Sequence, residues 1–270
     1  MTTHLRQRQI GPLCLAIVLA LAPALAAEVP TTTPALNLPA LDEAGRLETI
    51  LARFDQAQAS IRTLEADFDE LKELALLVDP VEGHGRFYYA TPHQAKWEYL
   101  QPEARVFLIS DNTLVQYFPA EKVLERRDLR AANTNRLFKL FGMGQSSKDL
   151  EDFYVISLGD DAGAPPDTAG DATDGGGFGP PANTYELILT PRRRAVEKRV
   201  SRVRLWIGDQ DFLPRAIKVE EADGDFTYWL FSNVRINNEL AAGVFELDVP
   251  DDVTIHKGIS LFESSEGSAP

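Results

Sequence analysis

The sequence predicts an α+β domain, an antiparallel β-meander with helices laid on one apolar face. Two observations predict it. One long stretch repeats apolar residues at helical spacing, and a second apolar stretch of helical character follows in the middle of the chain. Around them lie short aromatic and β-branched runs separated by Pro, Gly, Asn and Asp, the pattern of antiparallel hairpins.

The first residues stand apart from the fold. Arg6 and Arg8 precede an apolar run over residues 13–21, and Ala24-Leu25-Ala26 gives an A-x-A cleavage site. This is the layout of a secretory signal peptide over residues 1–26, with the exported chain starting near Ala27. The single cysteine, Cys14, lies inside the apolar run. The exported chain is therefore expected to carry no disulfide and no lipid anchor. Residues 27–40, rich in Thr and Pro, read as a flexible leader. Without Arg6 and Arg8, 25 of the 27 basic residues face 41 acidic ones. That balance argues against nucleic acid as a partner and against lasting residence on an anionic membrane.

Leu47, Ile50, Leu51, Phe54, Ala57, Ile61 and Leu64 recur at three- and four-residue steps, which predicts one amphipathic helix over residues 41–62. Leu64, Ala66 and Phe68 then alternate with Glu65, Asp67 and Asp69, as in a half-buried strand. Gly83-His84-Gly85 reads as a turn before a strand at 86–90, which Thr91-Pro92 ends. Strands at 95–100, 106–109 and 113–118 follow, stopped by Pro102, by Ser110-Asp111-Asn112 and by Pro119. Residues 124–129 read as weakly helical. Residues 135–143 hold Leu137, Phe138, Leu140, Phe141 and Met143, apolar on more than one helical face, so this segment is either buried or covers an apolar hole. Strands at 153–158, 185–189, 200–207, 214–221, 225–236 and 244–249 complete the sheet. Residues 159–183 are of low complexity and are expected to form a disordered loop insertion. The folded domain is thus expected to span residues 41–262, with a disordered tail at 263–270.

No pattern for catalysis emerges. His84, His93 and His256 form no HxH, HxxxH or HExxH arrangement, so no metal is expected. There is no GxSxG elbow and no P-loop, and glycines 175–177 lack the strand and helix of a phosphate cradle. Carboxylates are many, but no spacing singles out a pair. No catalytic residue and no cofactor are therefore expected.

What stands out is the apolar weight of the strands. Phe87, Tyr89, Trp97, Tyr99, Phe107, Ile109, Val115, Tyr117, Leu205, Ile207, Tyr228, Leu230 and Phe245 are candidates for one sheet face. That face is either an ordinary core beneath the helices near Phe54 and Phe138 or the wall of a concavity that takes an apolar ligand. The basic run Arg192, Arg193, Arg194, Lys198, Arg199, Arg202 and Arg204 is either a docking patch or a solvated hairpin tip.

The run Gly85-Arg86-Phe87-Tyr88-Tyr89-Ala90-Thr91-Pro92 is followed by Trp97-Glu98-Tyr99-Leu100-Gln101-Pro102, by Ile109-Ser110-Asp111-Asn112 and by Tyr117-Phe118-Pro119. Together these segments resemble the LolA outer-membrane lipoprotein carrier family. The preceding helix, the Phe68 strand, the 137–143 segment and Leu189-Thr190-Pro191 fall in the family's order. The resemblance implies an incomplete, strongly curved antiparallel β-barrel with helices covering the concave apolar face. It implies a periplasmic carrier, not an enzyme, that takes lipoprotein acyl chains released at the inner membrane towards the outer membrane. Its partners would be acylated lipoproteins or lipid cargo, an inner-membrane releasing transporter and an outer-membrane acceptor, met transiently by a monomer. On the same resemblance Phe68, Phe87, Tyr89, Trp97, Tyr99, Phe107, Ile109, Val115 and Tyr117 are expected to line the acyl cavity. Leu137, Phe138, Phe141 and Met143 are expected to form its lid. Thr91 stands where some members carry an arginine, and Asp111-Asn112 where the family prefers Asp-Gly. Two other readings remain: a periplasmic regulator that senses lipids or lipoproteins with the same kind of sheet, and a hydrolase working through two carboxylates.

Overall fold

The computed structural model describes residues 38–75, 79–129, 146–159 and 178–257. Its strands are β1 Thr63–Glu73, β2 Val81–Ala90, β3 Gln94–Gln101, β4 Arg105–Ser110, β5 Thr113–Phe118, β6 Val123–Asp128, β7 Tyr154–Leu158, β8 Thr184–Pro191, β9 Val200–Gly208, β10 Pro214–Glu221, β11 Phe226–Ile236 and β12 Thr254–Lys257. They form one twelve-stranded sheet in the order β12-β6-β5-β4-β3-β2-β1-β11-β10-β9-β8-β7. The β1–β11 pairing joins the two halves. Neighbours run antiparallel except β12, which lies parallel to β6. The order ends at β12 and β7, so among the described residues the sheet is open rather than a closed barrel.

Among the described residues three α-helices accompany it: α1 Glu43–Ser60, α2 Ser147–Glu151 and α3 Arg194–Glu197. Helix α1 begins where Asp42 caps it, its Oδ1 accepting from the Gly45 N–H at 2.9 Å. Its apolar stripe buries Ile50 and Phe54 completely. Asp55 on the same helix holds α2, accepting from the Ser147 N–H at 2.5 Å and the Ser147 hydroxyl at 2.8 Å.

Strand register aligns one face of the sheet. Leu64, Ala66 and Phe68 of β1 lie opposite Tyr89, Phe87 and Gly85 of β2. Those three lie opposite Ala95, Trp97 and Tyr99 of β3, which in turn face Ile109, Phe107 and Arg105 of β4. On the other side of β1, Phe68 and Glu70 face Phe231 and Trp229 of β11. The apolar side chains among these, with Ile61, Leu114 and Leu213, make the main core, and Ala57 of α1 packs on it. Three successive outer positions of β1 are acidic, and cross-strand partners meet them: Arg235 reaches Glu65 at 2.9 Å, Asn233 reaches Asp67 at 2.8 Å and His84 reaches Asp69 at 2.8 Å.

Four sequence readings are corrected. Gly83-His84-Gly85 is not a turn but part of β2, because the two glycines sit where side chains from β1 need room. Residues 124–129 are not helical; residues 123–128 form β6, whose Leu124 packs with Leu108, Val115 and Tyr117. Cross-strand packing overrides a weak local propensity there. Residues 244–249 form no strand. Phe245, Leu247 and Val249 alternate inward as a strap over that same cluster, and the added strand is β12. The 159–183 loop has a packed end. The Phe178 ring lies 5.9 Å from that of Tyr228, and the Tyr228 hydroxyl donates to Gly179 O at 2.7 Å. The rest of that loop, residues 160–177, and the 130–145 segment lie outside the described residues.

A Cβ at Gly85 would fall 2.6 Å from Phe68 Cζ and collide with the Glu98 carbonyl. Gly85→Ala is therefore expected to lower the unfolding free energy by about 1–3 kcal/mol through overpacking. Urea unfolding should show a lower midpoint at an unchanged slope; an unchanged midpoint would contradict the close approach.

Candidate functional site

The site begins with two glycines on the inner face of β2. Phe68 stands opposite Gly85, and Glu70 opposite Gly83. With no side chain on the intervening strand, both β1 residues reach across it to β3. The Phe68 and Tyr99 rings meet edge to face at 4.9 Å. Glu70 passes over Gly83, where a Cβ would lie 3.1 Å from Glu70 Oε2 and 3.5 Å from Tyr99 Cδ1.

Glu70 is a carboxylate at an inward position, its side chain only 8 % exposed. Both oxygens are occupied. The Tyr99 hydroxyl donates to Oε1 at 3.0 Å and Arg105 Nη2 donates to Oε2 at 3.2 Å. The Arg105 guanidinium also lies 3.9 Å from the Tyr99 ring centroid, a cation–π contact. Trp229 Nε1 is buried beside the Tyr99 hydroxyl without a hydrogen bond of good geometry. Burial pushes the Tyr99 hydroxyl up to about 12, and the Glu70 carboxylate pushes it the same way.

Beyond this polar group the wall is aromatic. Phe87 and Trp97 rings lie 4.6 Å apart, and Trp97 and Phe107 rings 5.5 Å apart. They border a cavity of about 330 Å³ lined by Trp97, Tyr99, Arg105, Val106, Phe107, Gln116, Phe118 and Trp229. Phe118 on β5 and Trp229 on β11 are five strand intervals apart in the sheet order. In a flat sheet they would be about 24 Å apart. Both line one small cavity, so the sheet is strongly curved and its inner face concave. The mouth reaches solvent at Arg105, whose side chain is 47 % exposed.

The nine residues expected to line a cavity divide three ways. Trp97, Tyr99 and Phe107 do line it. Phe68, Phe87, Tyr89 and Ile109 are buried in the core beside it. Val115 and Tyr117 are corrected: they belong to the opposite face, packed with Leu108 and Leu124 under the 245–253 strap. Tyr228 and Leu230 also lie on the opposite face, with Trp206. The expected lid residues Leu137, Phe138, Phe141 and Met143 lie outside the described residues.

Sequence reasoning missed Arg105, Val106, Gln116, Phe118 and Trp229. The signal was present at Asp111-Asn112. Both residues have positive φ, 50° and 58°, as in a two-residue hairpin loop. Such a loop pairs Ile109 with Leu114, so Leu114, Gln116 and Phe118, not Val115 and Tyr117, share the face of Ile109.

Four residues of the basic run have partners beside them. Arg204 donates to Glu186 at 2.9 Å and to Glu220 at 3.0 Å, and Arg202 lies 3.9 Å from Glu220. Arg192 Nε donates to Tyr154 O at 2.9 Å, and the Arg193 guanidinium lies 4.7 Å from the Phe153 ring. Among the described residues no group of three or more His, Cys, Asp or Glu is placed to hold a metal ion. No helix among them is long and apolar enough to cross a membrane.

Residues 59–165 match the family model for the outer membrane lipoprotein carrier protein LolA, which bears out the resemblance read from the sequence. No curated protein matches the chain. Similar solved structures include an uncharacterized conserved protein from Thermus thermophilus, at 12 % identity and a TM-score of 0.46, covering 78 % of this chain and 99 % of that one. A LolA superfamily protein from Nitrosomonas europaea is similar at 12 % identity and a TM-score of 0.36, covering 74 % and 97 %. The MucA/MucB complex structure from Pseudomonas aeruginosa is similar at 11 % identity and a TM-score of 0.42, covering 76 % and 62 %.

The buried hydroxyl sets an expectation for alkaline pH. Below the ordinary tyrosine value of 10, Tyr99 is protonated in the folded and unfolded chain alike. Between there and about 12 the unfolded chain gives up this proton while the folded chain keeps it. The folded state then binds more protons, so stability falls as pH rises through that window. Tyr99→Phe is expected to reduce this slope in urea unfolding measured at successive pH values; an identical slope would count against the burial of the hydroxyl.

Proposed function

We propose, for a chain whose residues 59–165 match the LolA family, that it is a periplasmic carrier of lipoprotein acyl chains. It would take them up after release at the inner membrane and surrender them towards the outer membrane. The observation that carries this reading is the aromatic cavity. Phe107, Phe118 and Trp229 keep part of their surface uncovered inside a concave wall, in a chain of formal charge −14. Large aromatic side chains left partly uncovered in a concavity are the mark of an apolar ligand site.

The energetics suit a carrier. Each methylene moved from water into an apolar wall is stabilised by about 0.8 kcal/mol. A dozen buried methylenes would therefore contribute on the order of 10 kcal/mol before ordering costs. No bond needs to be made or broken for that transfer. Directional delivery requires only an acceptor whose own apolar site binds the chain better, because a ligand moves an equilibrium by differential affinity alone. An inner-membrane releasing transporter and an outer-membrane acceptor are the partners this scheme calls for. The net negative charge favours parting from anionic surfaces once the chain has been loaded.

The test is to place a charge in the wall. Phe107→Glu and Phe118→Glu are each expected to weaken binding of a fluorescent fatty-acid probe by about tenfold or more, because a carboxylate must be desolvated for the alkyl chain to enter. Far-ultraviolet circular dichroism should show the sheet intact. Parent-like probe affinity in both folded variants would remove the cavity from the mechanism.

A further inference from the structure

We infer that the polar end of the cavity is a headgroup site, and that the ligand it favours is a single-tailed amphiphile with an anionic head. This rests on the acyl-cavity reading above and adds to it the chemistry of the head. Among the described residues that line the cavity, Arg105 is the one cation. It is held in place twice, by Glu70 at 3.2 Å and by the Tyr99 ring at 3.9 Å, yet its side chain stays 47 % exposed. A guanidinium offers five N–H donors in one plane. Glu70 takes the hydrogen bond of Nη2, and the exposure of the side chain leaves donors of that fork for an oxyanion at the mouth.

Glu70 cannot play the converse part. Its side chain is 8 % exposed, and its oxygens are taken by Tyr99 and Arg105, so a cationic head would have to break those bonds. Nor does stability explain the pair. With Glu70 buried and Arg105 half-exposed, the pair gains little net stability once the desolvation of the carboxylate is set against it. Its place at the end of an aromatic wall is accounted for by orientation: it fixes a cation where the apolar surface stops. The cavity, about 330 Å³, sits at the low end of the range of small-molecule sites, about 300–1,000 Å³. That space suits one alkyl chain rather than several side by side.

Calorimetric titration of the full chain, stripped of lipid, with dodecyl phosphate, dodecyl maltoside, dodecyltrimethylammonium and inorganic phosphate tests this. Each amphiphile is kept below its micellar concentration. Dodecyl phosphate is expected to bind about tenfold tighter than the maltoside, the trimethylammonium compound more weakly than either, and inorganic phosphate not measurably. The Glu70→Gln, Arg105→Gln double variant leaves neither charge unpaired and is expected to abolish the advantage of phosphate over maltoside. Arg105→Lys, which keeps the charge but loses the fork, should retain part of it. Equal affinity for the three amphiphiles, an advantage that survives in the double variant, or inorganic phosphate binding as tightly as dodecyl phosphate would each overturn the headgroup site while leaving the apolar cavity standing. Failure of all three amphiphiles to bind would instead bring down the cavity reading, and this inference with it.

Discussion

The empty space above Gly83 and Gly85 is the constraint on which the site depends. A β-strand normally separates the side chains of its two neighbours on a given face. Here the middle strand presents hydrogen atoms at two successive inward positions, and Phe68 and Glu70 cross it to reach Tyr99. One crossing is apolar and belongs to the core. The other is polar and ends at the Arg105 guanidinium. The boundary between packed interior and cavity therefore lies along one short stretch of β2, where the residue type is dictated by what passes over it.

Curvature does the rest. Six strands, from β5 round to β11, bend enough for Phe118 and Trp229 to border the same small space. At one end of that concavity Phe68, Phe87, Tyr89 and Ile109 fill it, aided by Ile61 and Ala57 at the end of α1. At the other end the aromatic residues stop short of filling it. The outer face has its own demands. Leu108, Val115, Tyr117 and Leu124 would be open to water on the far side of β4–β6, and the 245–253 strap covers them with Phe245, Leu247, Val249 and Val253. A sheet apolar on both faces in this region thus has its outer face closed by the chain's own later segment, while the inner face keeps a cavity.

Much of this was legible in the residues. The helical spacing from Leu47 to Ile61, the alternation through Phe68 and the Pro and Asn punctuation placed the first helix and eight of the strands close to their observed limits. The cavity wall was half legible: Trp97, Tyr99 and Phe107 were found, and Val115 and Tyr117 were assigned to the wrong face. The reason is parity. Face assignment in a sheet turns on the number of residues in each loop, and the two-residue Asp111-Asn112 loop exchanges odd for even positions. Glu70 was illegible for another reason. A carboxylate at an inward position looks like the end of a hydrophobic pattern, and its partners Tyr99 and Arg105 are distant in sequence, joined to it only by register. The strap at 244–249 alternated as a strand does, but its alternation serves packing on a face rather than a ladder of hydrogen bonds.

The chain holds three tryptophans, and the fold sorts them: Trp97 and Trp229 border the cavity, while Trp206 packs on the opposite face with Ala216 and Tyr228. An acyl chain brominated along its length quenches indole fluorescence on contact, so variants that each retain a single tryptophan report where the chain lies. Loading such a ligand should quench Trp97 and Trp229 strongly and leave Trp206 at its unliganded intensity. Quenching of Trp206 to the same degree, or of none of the three by a ligand shown to be bound, would contradict a hydrocarbon site on the concave face.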